Sequence, residues 1–126
     1  MQVFPHHTDY AGVVWHGAYI NWLEEARVIW LQQAGINYGE LVRSGIELPV
    51  VELSLRYHRS AVMGEQLTIS ARCDRHGVRL VWEYGIHNQA QHLCVSATVT
   101  LVPVDRSKGK IMRAMPAHLA NALAHL

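Results

Sequence analysis

Little in this chain narrows a function at first sight. Its 126 residues include two cysteines, four prolines and a single phenylalanine. Two cysteines cannot build the disulfide framework that holds small secreted domains, so Cys73 and Cys94 are expected as reduced core thiols of a cytoplasmic protein. The net charge is +1, with no basic run and no strip of aromatics between basic residues, which argues against a nucleic-acid partner. No apolar stretch is long and charge-free enough to span a bilayer, so no membrane is expected. The opening Met1-Gln2-Val3-Phe4-Pro5 lacks the basic and apolar regions of a signal peptide. The nine histidines are scattered, and His6, His7 and Asp9 follow no zinc-ligand spacing. No metal or other cofactor is expected.

What the chain does have is enough length for one domain, residues 1–126, burying about two-thirds of its unfolded surface. From His16 to Ala34 there is no proline and, after Gly17, no glycine. That run predicts one long helix, with Tyr19, Trp22, Leu23, Ala26, Ile29, Trp30 and Ala34 at spacings of three and four. Ile20, Val28 and Leu31 lie on the other side, and a helix apolar nearly all round is expected to be buried. Glu24 and Arg27, three apart, are expected to pair along it. Gly35 stops the helix. Asn37 is placed to cap a short second helix, Tyr38 to Ser44, which Gly45 ends.

After Pro49 the apolar period changes to two. Val51, Leu53, Leu55 and Tyr57 alternate with polar residues. So do Leu67, Ile69, Ala71 and Cys73, then Val78 to Ile86, then Leu93 to Leu101. Four half-buried strands follow from this pattern, and their short links predict antiparallel neighbours in chain order. Met1 to Phe4 reads as a fifth, short strand ended by Pro5. Residues 105–110 read as a loose polar turn, and Pro116 to Leu126 as a C-terminal helix.

One very apolar helix beside four or five antiparallel strands has a natural solution, in which a curved sheet wraps the helix. This α+β arrangement is the hotdog fold. Its free edge strands make a homodimer or homotetramer the expected assembly.

The motif Thr8-Asp9-Tyr10-Ala11-Gly12-Val13-Val14-Trp15-His16, followed by Tyr19 and Glu24-Glu25-Ala26-Arg27, resembles the hotdog acyl-CoA thioesterases of the 4-hydroxybenzoyl-CoA thioesterase and YbgC type. Leu55-Arg56-Tyr57-His58-Arg59-Ser60-Ala61 with Gly64-Glu65 is similar to the strand and turn after that family's helix. The resemblance implies hydrolysis of an acyl-CoA substrate, with Asp9 as the catalytic carboxylate. It also implies that His16, opening the helix, gives its backbone N–H to the thioester oxygen; a role for the imidazole is left open. Trp15, Trp22, Trp30 and Tyr19 are expected in the core, although Trp15 or Tyr19 could line an acyl pocket. Arg56, His58 and Arg59 are the first candidates for the CoA phosphates, ahead of Arg106, Lys108 and Lys110. The chain departs from the family at His7, where many relatives carry a second acid, and at Ser60, where proline is usual.

The chemistry stands without the family. A thioester is already activated, so an ionised carboxylate can attack it or deprotonate water with no serine or cysteine triad. Helix N-terminal amides attract the charge that develops on oxygen. Two other readings share the fold. In an acyl-CoA dehydratase, His16 and Glu25 would act together, leaving the Asp9 motif unexplained. A non-catalytic acyl-CoA-binding module would not need Asp9 and usually brings another domain, for which this chain has no room.

Overall fold

The computed structural model describes residues 1–124. Helix α1 spans His16–Gln33, as its uninterrupted helix-forming run requires. It ends where Gly35 takes φ +90°, a conformation that glycine adopts freely, and the Ile36 and Gly35 amides close back onto Leu31 and Gln32 at 2.8 and 3.0 Å. Asn37 Oδ1 accepts the Glu40 N–H at 3.1 Å and starts α2, Tyr38–Arg43, as its side-chain chemistry predicts. The C-terminal helix α3 covers Ala117–Leu123; the last two residues of the expected helix lie outside the described residues.

Among the described residues seven strands lie between α2 and α3, in the order β1 (Ile46–Glu47), β2 (Val50–Tyr57), β3 (Leu67–His76), β4 (Arg79–Asn88), β5 (Leu93–Leu101), β6 (Val104–Asp105) and β7 (Lys110–Ile111). The main sheet has the order β2-β5-β4-β3, all antiparallel. The links after β3 and β4 are short and make neighbours, as expected. β2 does not pair with β3; it crosses to the far side of β5, with Leu53 opposite Val99 and Leu55 opposite Ala97. The link at 58–66 is used instead to hold the N-terminal segment, through a Val13–Val62 bridge and a Gly64 N–H bond to the Val3 carbonyl of 2.8 Å. The expected strand at Met1 to Phe4 is reduced to one bridge, Gln2 to Gln66. Residues expected as a loose turn form the β6–β7 hairpin of a small sheet ordered β1-β6-β7.

The sheet presents Leu80, Trp82, Tyr84 and Ile86 of β4, with Val95, Val99 and Leu101 of β5, to the interior. Helix α1 meets them with Tyr19, Trp22, Leu23 and Leu31, each 5% exposed or less. Each such side chain contributes about 1.5–3 kcal/mol on burial. Two expectations are corrected here. The helix is buried on one face only, since Ile29 is 53% exposed and Ile20 lies at the surface. β2, an edge strand of the main sheet, buries none of its residues; Val51, Leu53 and Tyr57 are open to solvent.

Leu23 is 1% exposed at the centre of this contact. Leu23→Ala should cost about 2–5 kcal/mol through lost transfer energy and the cavity left behind. A urea midpoint that falls with an unchanged m value checks this; an unshifted midpoint would contradict the packing.

Candidate active site

Asp9 sits in a loop held by its own backbone and side chain. Its N–H donates to the Val13 carbonyl at 2.9 Å, and its carbonyl accepts the Gly12 N–H at 3.1 Å. Its carboxylate Oδ1 accepts the Ala11 and Val13 amides at 2.9 and 3.2 Å. Asp is suited to this turn because its short side chain bonds amides two to four residues on. Gly12 is required by the backbone: it takes φ +73°. Both bonds fall on Oδ1, and among the described residues Oδ2 has no donor. The residue is exposed, so Oδ2 faces solvent.

The loop is pinned to the start of α1. Thr8 and Val14 form a bridge, the Val14 N–H reaches the buried Ala61 carbonyl at 2.9 Å, and the Trp15 N–H donates to the His7 carbonyl at 3.1 Å. Trp15 is the extended N-cap residue of α1, with no side-chain cap. The next two amides, His16 and Gly17, have no intrahelical acceptor, as at any helix start, and no other acceptor among the described residues. An uncapped helix start, carrying about half a positive charge, therefore adjoins the loop that presents a carboxylate.

The sequence-predicted residues separate into three places. Trp15 is not core: it is 44% exposed, and its indole lies over Gly17, where a Cβ would meet the ring at 2.1 Å. Tyr19 is core at 2% exposed, packed between Trp22 and Tyr57 with ring centroids 5.7 Å from each; burial raises its phenol pKa. Glu25 lies farther along α1, exposed, in a groove of about 400 Å³ against β3 that Trp22, Ala26, Trp30, Leu67 and Ile69 also line. Its imidazole neighbour is His7, whose pKa it raises against larger opposing effects. His16 and Glu25 are nine residues apart on one helix, about 13 Å along its axis, so they share no reacting centre within one chain. The expected Glu24–Arg27 pair does not form among the described residues; the Arg27 guanidinium donates to the Tyr84 hydroxyl at 3.4 Å instead. Burial pushes Tyr84 up to about 12.

Arg56 and His58 face outward from the sheet around a shallow depression of about 440 Å³ with Ser54, Glu83, Ser96 and Thr98. The His58 ring bonds Ser96 Oγ at 2.8 Å. Arg59 lies beyond β2, beside the His92 ring and two residues before Ala61, whose carbonyl supports the Asp9 loop. Along the chain it is therefore nearer than Arg56 to the residue that supports the loop. Arg106 is engaged with Glu47 at 3.3 Å, and Lys108 and Lys110 are exposed in the β6–β7 hairpin. Sequence reasoning missed Ala61: a small residue in a link carries no signal of an acceptor role. It also gave His7 no structural task.

The two cysteines are buried and unbridged; burial pushes Cys73 up to about 12 and raises Cys94. Neither is poised as a nucleophile. Among the described residues no helix is long and apolar enough to cross a membrane, and no group of three His, Cys, Asp or Glu could hold a metal ion.

A long helix packed against an antiparallel sheet is the hotdog arrangement, the fold of the thioesterase-like proteins. The chain matches the Thioesterase-like superfamily over residues 3–123, and it belongs to that family. It is 47% identical over 118 residues to sll0410 of Synechocystis, provisionally classed as an esterase, covering 92% of this chain and 71% of that one. It is 29% identical over 117 residues to the acyl-CoA thioester hydrolase YbgC of Escherichia coli O6:H1, covering 92% of this chain and 87% of YbgC. Its fold matches that of Slr0204, a 1,4-dihydroxy-2-naphthoyl-CoA thioesterase from Synechocystis, with a TM-score of 0.92 at 23% identity, covering 100% of this chain and 93% of the other.

Proposed function

We propose that this chain hydrolyses acyl-CoA thioesters to the free acid and CoA, as one domain working with a second copy of itself. The observation that carries the reading is the Asp9 loop pinned to an uncapped helix start, with no donor to Oδ2 among the described residues and with the His16 and Gly17 amides free to donate to a ligand oxygen. The thioester oxygen meets the His16 N–H, with Gly17 adjacent. As a general base, Asp9 Oδ2 takes a proton from water while the water oxygen bonds the carbonyl carbon and the displaced electron pair moves onto the carbonyl oxygen. Collapse breaks the C–S bond, and the departing thiolate takes the proton from Asp9. As a nucleophile, Oδ2 forms the C–O bond itself while the C–S bond breaks and the thiolate leaves; water then cleaves the mixed anhydride to the free acid and the Asp9 carboxylate, and the proton released goes to the thiolate. Both routes use one oxygen and one oxyanion site, whose loss typically costs about 3–4 kcal/mol of barrier.

Buried, unbridged thiols suit a reducing compartment, and the cytoplasm is the proposed location. The CoA phosphates would meet Arg59 first, with Arg56 and His58 on the outer face of the sheet. The exposed apolar residues of β2 and its unpaired edge suit antiparallel pairing with β2 of a second copy about a two-fold axis.

Asp9→Asn keeps the shape of the turn but supplies neither base nor nucleophile, so kcat should fall at least about a hundredfold with the far-UV spectrum unchanged. Near-normal kcat in Asp9→Asn, together with an inactive Glu25→Gln, would move the chemistry to the helix. Arg59→Ala should raise KM about two- to fivefold at low salt and less at high salt, leaving kcat little changed, because exposed charges act on binding and are screened. An unchanged KM would place the phosphates elsewhere. In sedimentation equilibrium at micromolar concentration, the mass should be that of a dimer or tetramer; a monomer would count against β2 pairing.

A further inference from the structure

His7 stands two residues before Asp9, and its contacts run in three directions. Its Nδ1 accepts the Phe4 N–H at 3.0 Å, while its own N–H donates to the Phe4 carbonyl at 2.9 Å, closing the 3₁₀ turn Pro5–His7. Its carbonyl accepts the Trp15 N–H at the start of α1. Its ring stands edge-on to Trp22 of α1, with centroids 4.9 Å apart and planes at 67°. One residue thus fixes both the chain entering the Asp9 loop and the chain leaving it for the helix. The side-chain part of this arrangement works only while Nδ1 carries no proton, since a protonated Nδ1 would set one N–H against another.

We infer that His7 is the positioning residue of the Asp9 loop, and that it holds the loop in place only as the neutral imidazole protonated on Nε2. The inference rests on the reading of Asp9 as the working carboxylate. Two titratable groups face the ring: His6 from its own turn, with ring centroids 4.0 Å away, and Glu25 from α1. Partial burial is the largest influence and lowers the pKa of His7 from the ordinary 6.5; positive charge on His6 lowers it further, and Glu25 opposes both. His7 is therefore neutral at pH 7. Because the folded chain resists the proton more than the unfolded one, stability from this group is complete above about pH 6.5 and is lost as pH falls below it. Activity should follow the same proton, since that proton decides whether the turn before Asp9 is held.

The test uses His7→Asn and His7→Ala in the full chain. Asn places an oxygen acceptor close to the position of Nδ1 and cannot titrate in this range; Ala offers no acceptor. Expected at pH 7.5 are a kcat for His7→Asn within about threefold of the parent, and a kcat for His7→Ala at least about tenfold lower with KM changed less, because a displaced carboxylate affects chemistry first. The acid limb of kcat/KM should move down by at least about one pH unit in His7→Asn. A second readout needs no turnover. In a pH titration followed by amide NMR, the Phe4, Ala11 and Val13 resonances of the parent should shift together with the midpoint of the His7 ring, and that step should vanish in His7→Asn. If the parent hydrolyses no thioester, the proposed reaction fails while the NMR titration still decides this inference. It is overturned if Ala11 and Val13 ignore the His7 step, if the parent and His7→Asn share one acid limb, or if His7→Ala keeps the parent kcat.

Discussion

The structure depends on the burial of one face of α1 against the sheet. Trp30 of the helix meets Trp82 of β4 edge to face, with ring centroids 5.0 Å apart, and Trp82 is fully buried. Tyr19, Trp22, Leu23 and Leu31 extend that contact along the helix. A helix so anchored cannot rotate or slide without exposing several large side chains, each of which contributes about 1.5–3 kcal/mol by its burial. Its first amides are therefore fixed in space, and a loop tied to them inherits that rigidity. The Asp9 carboxylate is tied to the core through three links: core to helix, helix to the Trp15–His7 bond, and that bond to the turn.

Much of this was legible in the residues. A proline-free apolar run gives a helix nearly regardless of context, and Gly35 and Asn37 act through local backbone geometry, so α1 and α2 lie where their residues place them. Strands were legible for the same reason, because alternation records which side chains share a face. Alternation does not record which strand lies alongside. The crossing of β2 to β5 depends on a link that runs back beneath the N-terminal segment, and Val62, Gly64 and Ala61 carry no local signal of that task. The exposure of β2 and of Ile29 was hidden likewise: apolar periodicity does not record which of the apolar residues the core covers.

The site was legible as a motif and less so as an arrangement. Asp9, Gly12 and the helix start have the spacing a tight acidic turn needs, and the turn forms with both amide bonds on one carboxylate oxygen. Trp15 was misplaced because a tryptophan beside a helix start has the composition of a core residue, whereas its ring lies across Gly17 at the surface. The Glu24–Arg27 spacing allows an ion pair, but Arg27 finds the Tyr84 hydroxyl across the core interface. In the second case short-range sequence logic gave way to a neighbour distant along the chain.

The central claim is that a thioester bound at this helix start is hydrolysed, and the most direct measurement is release of CoA thiol from a panel of aromatic and aliphatic acyl-CoAs. A thiol reagent is well suited to this protein. Cys73 is buried with its thiol pushed up to about 12, and Cys94 is buried and raised, so the native chain contributes little signal of its own. The account predicts thiol release that scales with enzyme concentration for at least one acyl-CoA of the panel. No release from any aromatic or aliphatic acyl-CoA by the correctly folded protein would contradict it.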